Sequence, residues 1–108
     1  MNLPTEIFGD VLVVHAPEEL NDEQSGRFQQ FVSSQDRVKV VVDLDSVESL
    51  DSAGLTSLRN LQDDLQAAHG DLKLIAGNSV NRKILEITRL DQHLEVFDSV
   101  IDAVKSYV

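Results

Sequence analysis

The stretch RVKVVVDLD at residues 37–45 constrains this chain more than any other. Val38, Val40, Val42 and Leu44 fall on one side at a period of two, and Lys39, Val41 and Asp43 on the other, the signature of a β-strand with one strongly apolar face. The period then changes. Leu55, Leu58, Leu61, Leu65 and Ala68 recur at spacings of three and four, a single apolar stripe along a helix, with Arg59, Asn60, Asp63 and Asp64 off the stripe. A strand followed by a helix that must cover its apolar face is the repeating unit of a parallel sheet.

The remaining sequence extends this alternation. Residues 3–14 alternate loosely around Gly9-Asp10, as two short strands joined in a hairpin do. The segment APEELNDEQSG breaks the pattern, and Asn21 or Asp22 can cap a helix on which Phe28, Phe31 and Val32 share a face. His69-Gly70 ends the leucine-striped helix, Gly70 being suited to a left-handed cap. DLKLIAG returns as a strand. NSVNRKILEITRL reads as a helix capped by Asn78 or Ser79, with Val80, Ile84, Ile87 and Leu90 inward. HLEVF is a short strand, and DSVIDAVKSYV a last helix, capped by Asp98 or Ser99, that turns Val100, Ile101 and Val104 to the core. The expectation is one α/β domain over residues 1–108, with a mixed sheet of four to five strands and helices mainly on one face.

The charge balance narrows the partners. A net charge of −10 argues against nucleic acid, which requires a basic surface to displace counterions, and favours a partner with a basic patch. There is no cysteine, so disulfides, thiol nucleophiles and thiolate metal sites are excluded. MNLPTEIFGD has no basic start followed by an apolar core, and no apolar run approaches the ~20 residues of a membrane helix. A cytoplasmic protein without direct membrane insertion is expected.

Chemistry concentrates at Asp51-Ser52-Ala53-Gly54-Leu55. A helix start presents unpaired N–H groups and the positive end of the dipole, and Asp or Ser there stabilises by roughly 1 kcal/mol. Both Asp51 and Ser52 can serve, so one of them is spare. Gly54 in the first turn costs about 1 kcal/mol relative to alanine, which implies that something approaches the backbone closely. A phosphate on Ser52 would sit beside groups suited to anions.

The run VVVDLDSVESLDSAGL followed by the leucine-striped helix resembles the STAS domain, the fold of sulfate transporter tails and of anti-sigma factor antagonists. GDLKLIAGNSVNRKILEITRLDQHLEVFDSVIDAV is similar to the second half of that family. The resemblance implies that the serine of the Asp-Ser-x-Gly-Leu turn, here Ser52, is phosphorylated by an anti-sigma factor that is also an ATP-dependent serine kinase. A phosphatase would reverse the modification. Asp51 and Gly54 would shape the acceptor turn, with Asn21 and Asp22 at the rim of the partner surface. Antagonists of the family commonly carry aspartate where Asn21 stands, and glycine where Arg89 stands. The resemblance implies a regulator of transcription with no enzymatic activity and no cofactor.

Two other readings use the same residues. In one, the chain is a STAS scaffold or an accessory subunit of a signalling or lipid-transport complex, and Ser52 is only a helix cap. In the other, Ser52 is the nucleophile of a small hydrolase, but no nucleophile-elbow pattern surrounds it. His15, His69 and His93 lack metal-ligand spacing, Asp43 and Asp45 suit a strand end better than a cation site, and no phosphate-cradling glycine motif is present.

Overall fold

The computed structural model describes residues 1–107. Strands β1 (Thr5–Phe8) and β2 (Val11–His15) form the hairpin, turning at Gly9 with φ of 65°. Two-residue strand β3 (Glu19–Leu20) leads into helix α1 (Asp22–Ser33). Then come β4 (Lys39–Asp43), the short β5 (Ser49–Leu50) and the long helix α2 (Ser52–Ala67). Strand β6 (Asp71–Ile75), helix α3 (Ser79–Ile87), a 3-10 turn at Leu90–Gln92, strand β7 (Glu95–Phe97) and helix α4 (Val100–Lys105) complete the order. The main sheet runs β1-β2-β4-β6-β7, with β1 antiparallel and the other pairs parallel. No helix among the described residues is long and apolar enough to cross a membrane.

Three helices cover one face. Val40, Val42 and Leu44 pack there with Leu12, Val14, Leu72 and Leu74 against Phe28 and Val32 of α1, Leu58, Leu61 and Leu65 of α2, and Leu85 of α3. Val38 departs from its expected place: it precedes the strand and stays 41% exposed. On the opposite face Val11, Val13, Val41 and Ile75 are buried under α4 through Ala103, Val100 and Val104. The Tyr107 hydroxyl fastens this end of the chain, 2.6 Å from the Asp71 carbonyl and 2.8 Å from that of Val40.

Several side chains turn the other way from the sequence expectation. In α3, Asn81 and Leu85 face inward, while Val80 and Ile87 are 65% and 70% exposed and Ile84 is half-buried. The Asn81 amide decides this rotation, because it donates to the carbonyls of Leu44 (3.2 Å) and Val47 (2.9 Å); the Leu44 carbonyl also accepts from the Val47 N–H at 3.0 Å, so the Val47 carbonyl is the acceptor that depends on Asn81. Leu90 is buried as expected, but Ile101 of α4 and Ala68 beyond α2 are exposed. The left-handed residue after α2 is His69, with φ of 64°. Gly70 is required for a different reason: a Cβ there would lie 2.1 Å from the Val38 carbonyl oxygen.

What positions the candidate site is a feature too short to read from periodicity. Strands β3 and β5 pair in parallel as a separate two-stranded sheet, Glu19 opposite Ser49 and Leu20 opposite Leu50. Backbone N–H groups of Glu48 and Ser49 both donate to the Glu18 carbonyl. Each of these strands ends one residue before a helix cap, so α1 and α2 begin side by side.

Candidate functional site

Two helix caps meet at one carboxylate. Asp51, half-buried, has extended backbone angles and caps α2 by accepting from the Gly54 N–H through Oδ1 at 3.0 Å. Its second oxygen, Oδ2, accepts from the Asp22 N–H at 3.1 Å, at the first residue of α1. Asn21 caps α1 itself, its Oδ1 accepting from the Gln24 N–H at 3.3 Å. A single carboxylate therefore satisfies an orphan donor on each helix, and its charge lies at the positive ends of both dipoles.

Asp51 being the cap, Ser52 is the spare residue. It occupies the first position of α2, its side chain is exposed, and the capping bond comes from its neighbour. Its backbone carbonyl accepts from the Thr56 hydroxyl at 2.8 Å. Exposed acids Asp22 and Glu23 stand in the first turn of the neighbouring helix. All five residues singled out from the sequence, Asn21, Asp22, Asp51, Ser52 and Gly54, thus converge on the paired helix starts.

Gly54 meets the expectation of a close approach to its backbone. The group that approaches its backbone is part of the chain itself: a Cβ at Gly54 would lie 2.1 Å from the Leu20 carbonyl oxygen and 3.1 Å from a Leu50 methyl. Glycine is demanded by the β3–β5 pair packing under the turn. Gly54 is buried in the first turn of α2.

Sequence reasoning did not assemble the groove beside Ser52. Ser25, Gly26 and Gln29 of α1 face Ser52, Ala53, Thr56, Ser57 and Asn60 of α2 across an opening of about 280 Å³. The i, i+4 pairs 25/29 and 52/56 carry small or neutral polar side chains on facing helices, a signal available only once the helices are known to be neighbours.

A second polar cluster lies at the carboxyl ends of β2 and β4. His15 Nδ1 is 2.9 Å from Asp43 Oδ2 and its Nε2 is 2.7 Å from Glu6 Oε1. Both ring nitrogens meet acceptors, so the geometry favours the doubly protonated imidazolium. The hydrogen bond to Glu6 raises the His15 pKa, burial opposes it, and Asp43 raises it again. The other Asp43 oxygen accepts from the Asp45 N–H, and Asp45 accepts from the Gly77 N–H at 2.8 Å. These acids stitch strand ends together. His93 lies apart, its Nε2 3.2 Å from Arg59 Nη1.

Comparison with known proteins agrees with this architecture. The STAS domain family model matches residues 2–103. A Thermotoga neapolitana protein provisionally assigned as an anti-sigma factor antagonist is 27% identical over 106 residues, covering 94% of each chain. The crystal structure of a Thermotoga maritima protein of the same provisional assignment superposes with a TM-score of 0.87 at 27% identity, over 96% of this chain and 92% of that one. A Bacillus cell fate determinant in its phosphorylated form shares the fold, with a TM-score of 0.73 at 14% identity, covering 99% of this chain and 100% of that one. The family match over nearly the whole chain, with the shared fold, assigns it: the chain belongs to the STAS domain family and is of the anti-sigma factor antagonist-like kind.

Proposed function

We propose that this protein is a phosphorylation-switched anti-sigma factor antagonist whose acceptor is Ser52. The observation that carries the reading is the division of labour at the α2 start: Asp51 makes the cap, and the exposed Ser52 hydroxyl is left for chemistry. In the unphosphorylated form the surface around Ser52, including Asn21, Asp22, Asp51 and the turn held by Gly54, binds an anti-sigma factor that is also a serine kinase, and so frees its sigma factor. The role is regulatory and the protein itself performs no catalysis.

The switching step is phosphoryl transfer. Ser52 Oγ attacks the γ-phosphorus of ATP held by the kinase; the new Oγ–P bond forms as the bond from that phosphorus to the bridging β-γ oxygen breaks. ADP leaves, and the hydroxyl proton passes to a base on the kinase. The product adds about −1.5 to −2 charges beside Asp51, Asp22 and Glu23. Helix N–H groups and dipoles tolerate this charge in the free protein. A docked partner would have to desolvate it against three carboxylates, so binding weakens while the fold stays as it is. A phosphatase resets the switch by hydrolysing the phosphoserine.

The test is direct. Purified protein is incubated with magnesium-ATP and each recombinant kinase-type anti-sigma factor of the source genome, and phosphate is located by mass spectrometry. One kinase modifies Ser52 in the parent and leaves Ser52→Ala unmodified; absence of phosphate at Ser52 with every such kinase would overturn the reading.

A further inference from the structure

The glycines of this chain separate by what they are needed for. Gly54 and Gly70 each lie where a Cβ would strike a backbone carbonyl at 2.1 Å, and Gly9 has φ of 65°. Gly26 has neither reason. It sits inside α1, is exposed, has no left-handed φ, and a Cβ added to it would meet nothing within 4 Å. Glycine within a helix is less favourable than alanine, and nothing in the fold requires it here. Gly26 also lines the groove of about 280 Å³ beside Ser52.

The groove walls are uncharged in a chain of net charge −10: Ser25, Gly26 and Gln29 on one side, Ser52, Thr56 and Asn60 on the other. The charged side chains Asp22, Glu23 and Arg27 line the neighbouring face of α1 instead. Neutral donors and acceptors on both walls, with no Cβ at Gly26, suit the amide groups of an extended main chain.

We propose that this groove receives the main chain of the kinase's active-site segment, with Gly26 the point of closest approach. The inference rests on the reading of Ser52 as the acceptor. Phosphoryl transfer requires reacting atoms about 3–3.5 Å apart, so a kinase acting on Ser52 must lay its active-site segment across the opening that Ser52 lines. Hydrogen bonds from Ser25, Gln29 and Asn60 then set which kinase fits.

Gly26→Ala and Gly26→Gln are compared with the parent, with Gln30→Ala on the neighbouring α1 face as control. The readouts are melting temperature and the initial rate of phosphate incorporation at Ser52 by a recombinant kinase-type anti-sigma factor of the source genome with magnesium-ATP. Gly26→Ala raises the melting temperature by roughly 4 °C, which shows that the fold is intact, yet lowers kcat/KM roughly tenfold. Gly26→Gln lowers it further, and Gln30→Ala leaves it unchanged. If both Gly26 variants are phosphorylated within about twofold of the parent, the groove assignment is wrong while the Ser52 reading stands. If the parent itself receives no phosphate at Ser52, both fall.

Discussion

Asp51→Ala should cost far more stability than Ser52→Ala, although either residue could have capped α2. Asp51 Oδ1 holds the Gly54 N–H at 3.0 Å and Oδ2 holds the Asp22 N–H at 3.1 Å. Loss of the cap costs about 1 kcal/mol. The second bond also involves a charged acceptor, for which about 1.5–3 kcal/mol is typical; because it is exposed, about 1 kcal/mol is the appropriate figure. The sum, about 2 kcal/mol, corresponds to a fall in melting temperature of roughly 8 °C or more for a chain of this size. Ser52→Ala should stay within about 0.5 kcal/mol, as surface substitutions do. Asp51→Asn should lie between the two, since it keeps one acceptor oxygen but offers the other helix an amide. Equilibrium urea unfolding followed by circular dichroism measures all three. An Asp51→Ala cost below about 0.5 kcal/mol, or a Ser52→Ala cost above about 1 kcal/mol, would refute the assignment of the cap.

Gly54→Ala drives a methyl to 2.1 Å from the Leu20 carbonyl oxygen; a loss of at least ~2 kcal/mol is expected in the same unfolding assay, and a neutral result would contradict the packing of β3 beneath α2. The His15 cluster makes stability depend on pH. Its folded pKa is raised above the ordinary 6.5 by Glu6 and then Asp43, against burial, so its contribution is complete below pH 6.5 and disappears as pH rises through the folded value. The difference in unfolding free energy between the parent and His15→Gln should therefore shrink from pH 6 toward pH 9; a difference that grows over that interval would show the sign to be wrong.

Much of the fold was legible because burial imposes a period. The strand of Val40, Val42 and Leu44 and the stripe of Leu58, Leu61 and Leu65 repeat often enough that only one face can be inward. Helix α3 was misread because its apolar residues do not cover its inward face. Val80 and Ile87 stay exposed while a polar residue, Asn81, is buried to satisfy two loop carbonyls, and hydropathy carries no record of such partners. The same holds at the C-cap of α2, where His69 adopts the left-handed conformation and Gly70 answers a steric demand from Val38. Arg89 likewise holds a left-handed backbone, φ of 61°, in the place where the family commonly has glycine, so the backbone there matches what glycine would adopt most easily. At the site, the residue types of the Asp-Ser-x-Gly-Leu turn were readable, but the pairing of helix starts was not. It depends on the two-residue strands Glu19–Leu20 and Ser49–Leu50, which are too short to have a period.

In the proposed switch, charge on Ser52 governs partner binding without any change of fold. The most direct measurement is isothermal titration of the cognate kinase-type anti-sigma factor with the protein in three forms: unmodified, enzymatically phosphorylated on Ser52, and Ser52→Asp. Melting temperatures of the three should agree within about 2 °C, since aspartate and phosphate both suit a helix start. The phosphorylated form should bind with a Kd at least roughly tenfold weaker, equivalent to about 1.4 kcal/mol, with Ser52→Asp weakened in the same direction. Equal affinity for the unmodified and phosphorylated forms would contradict the proposed switch.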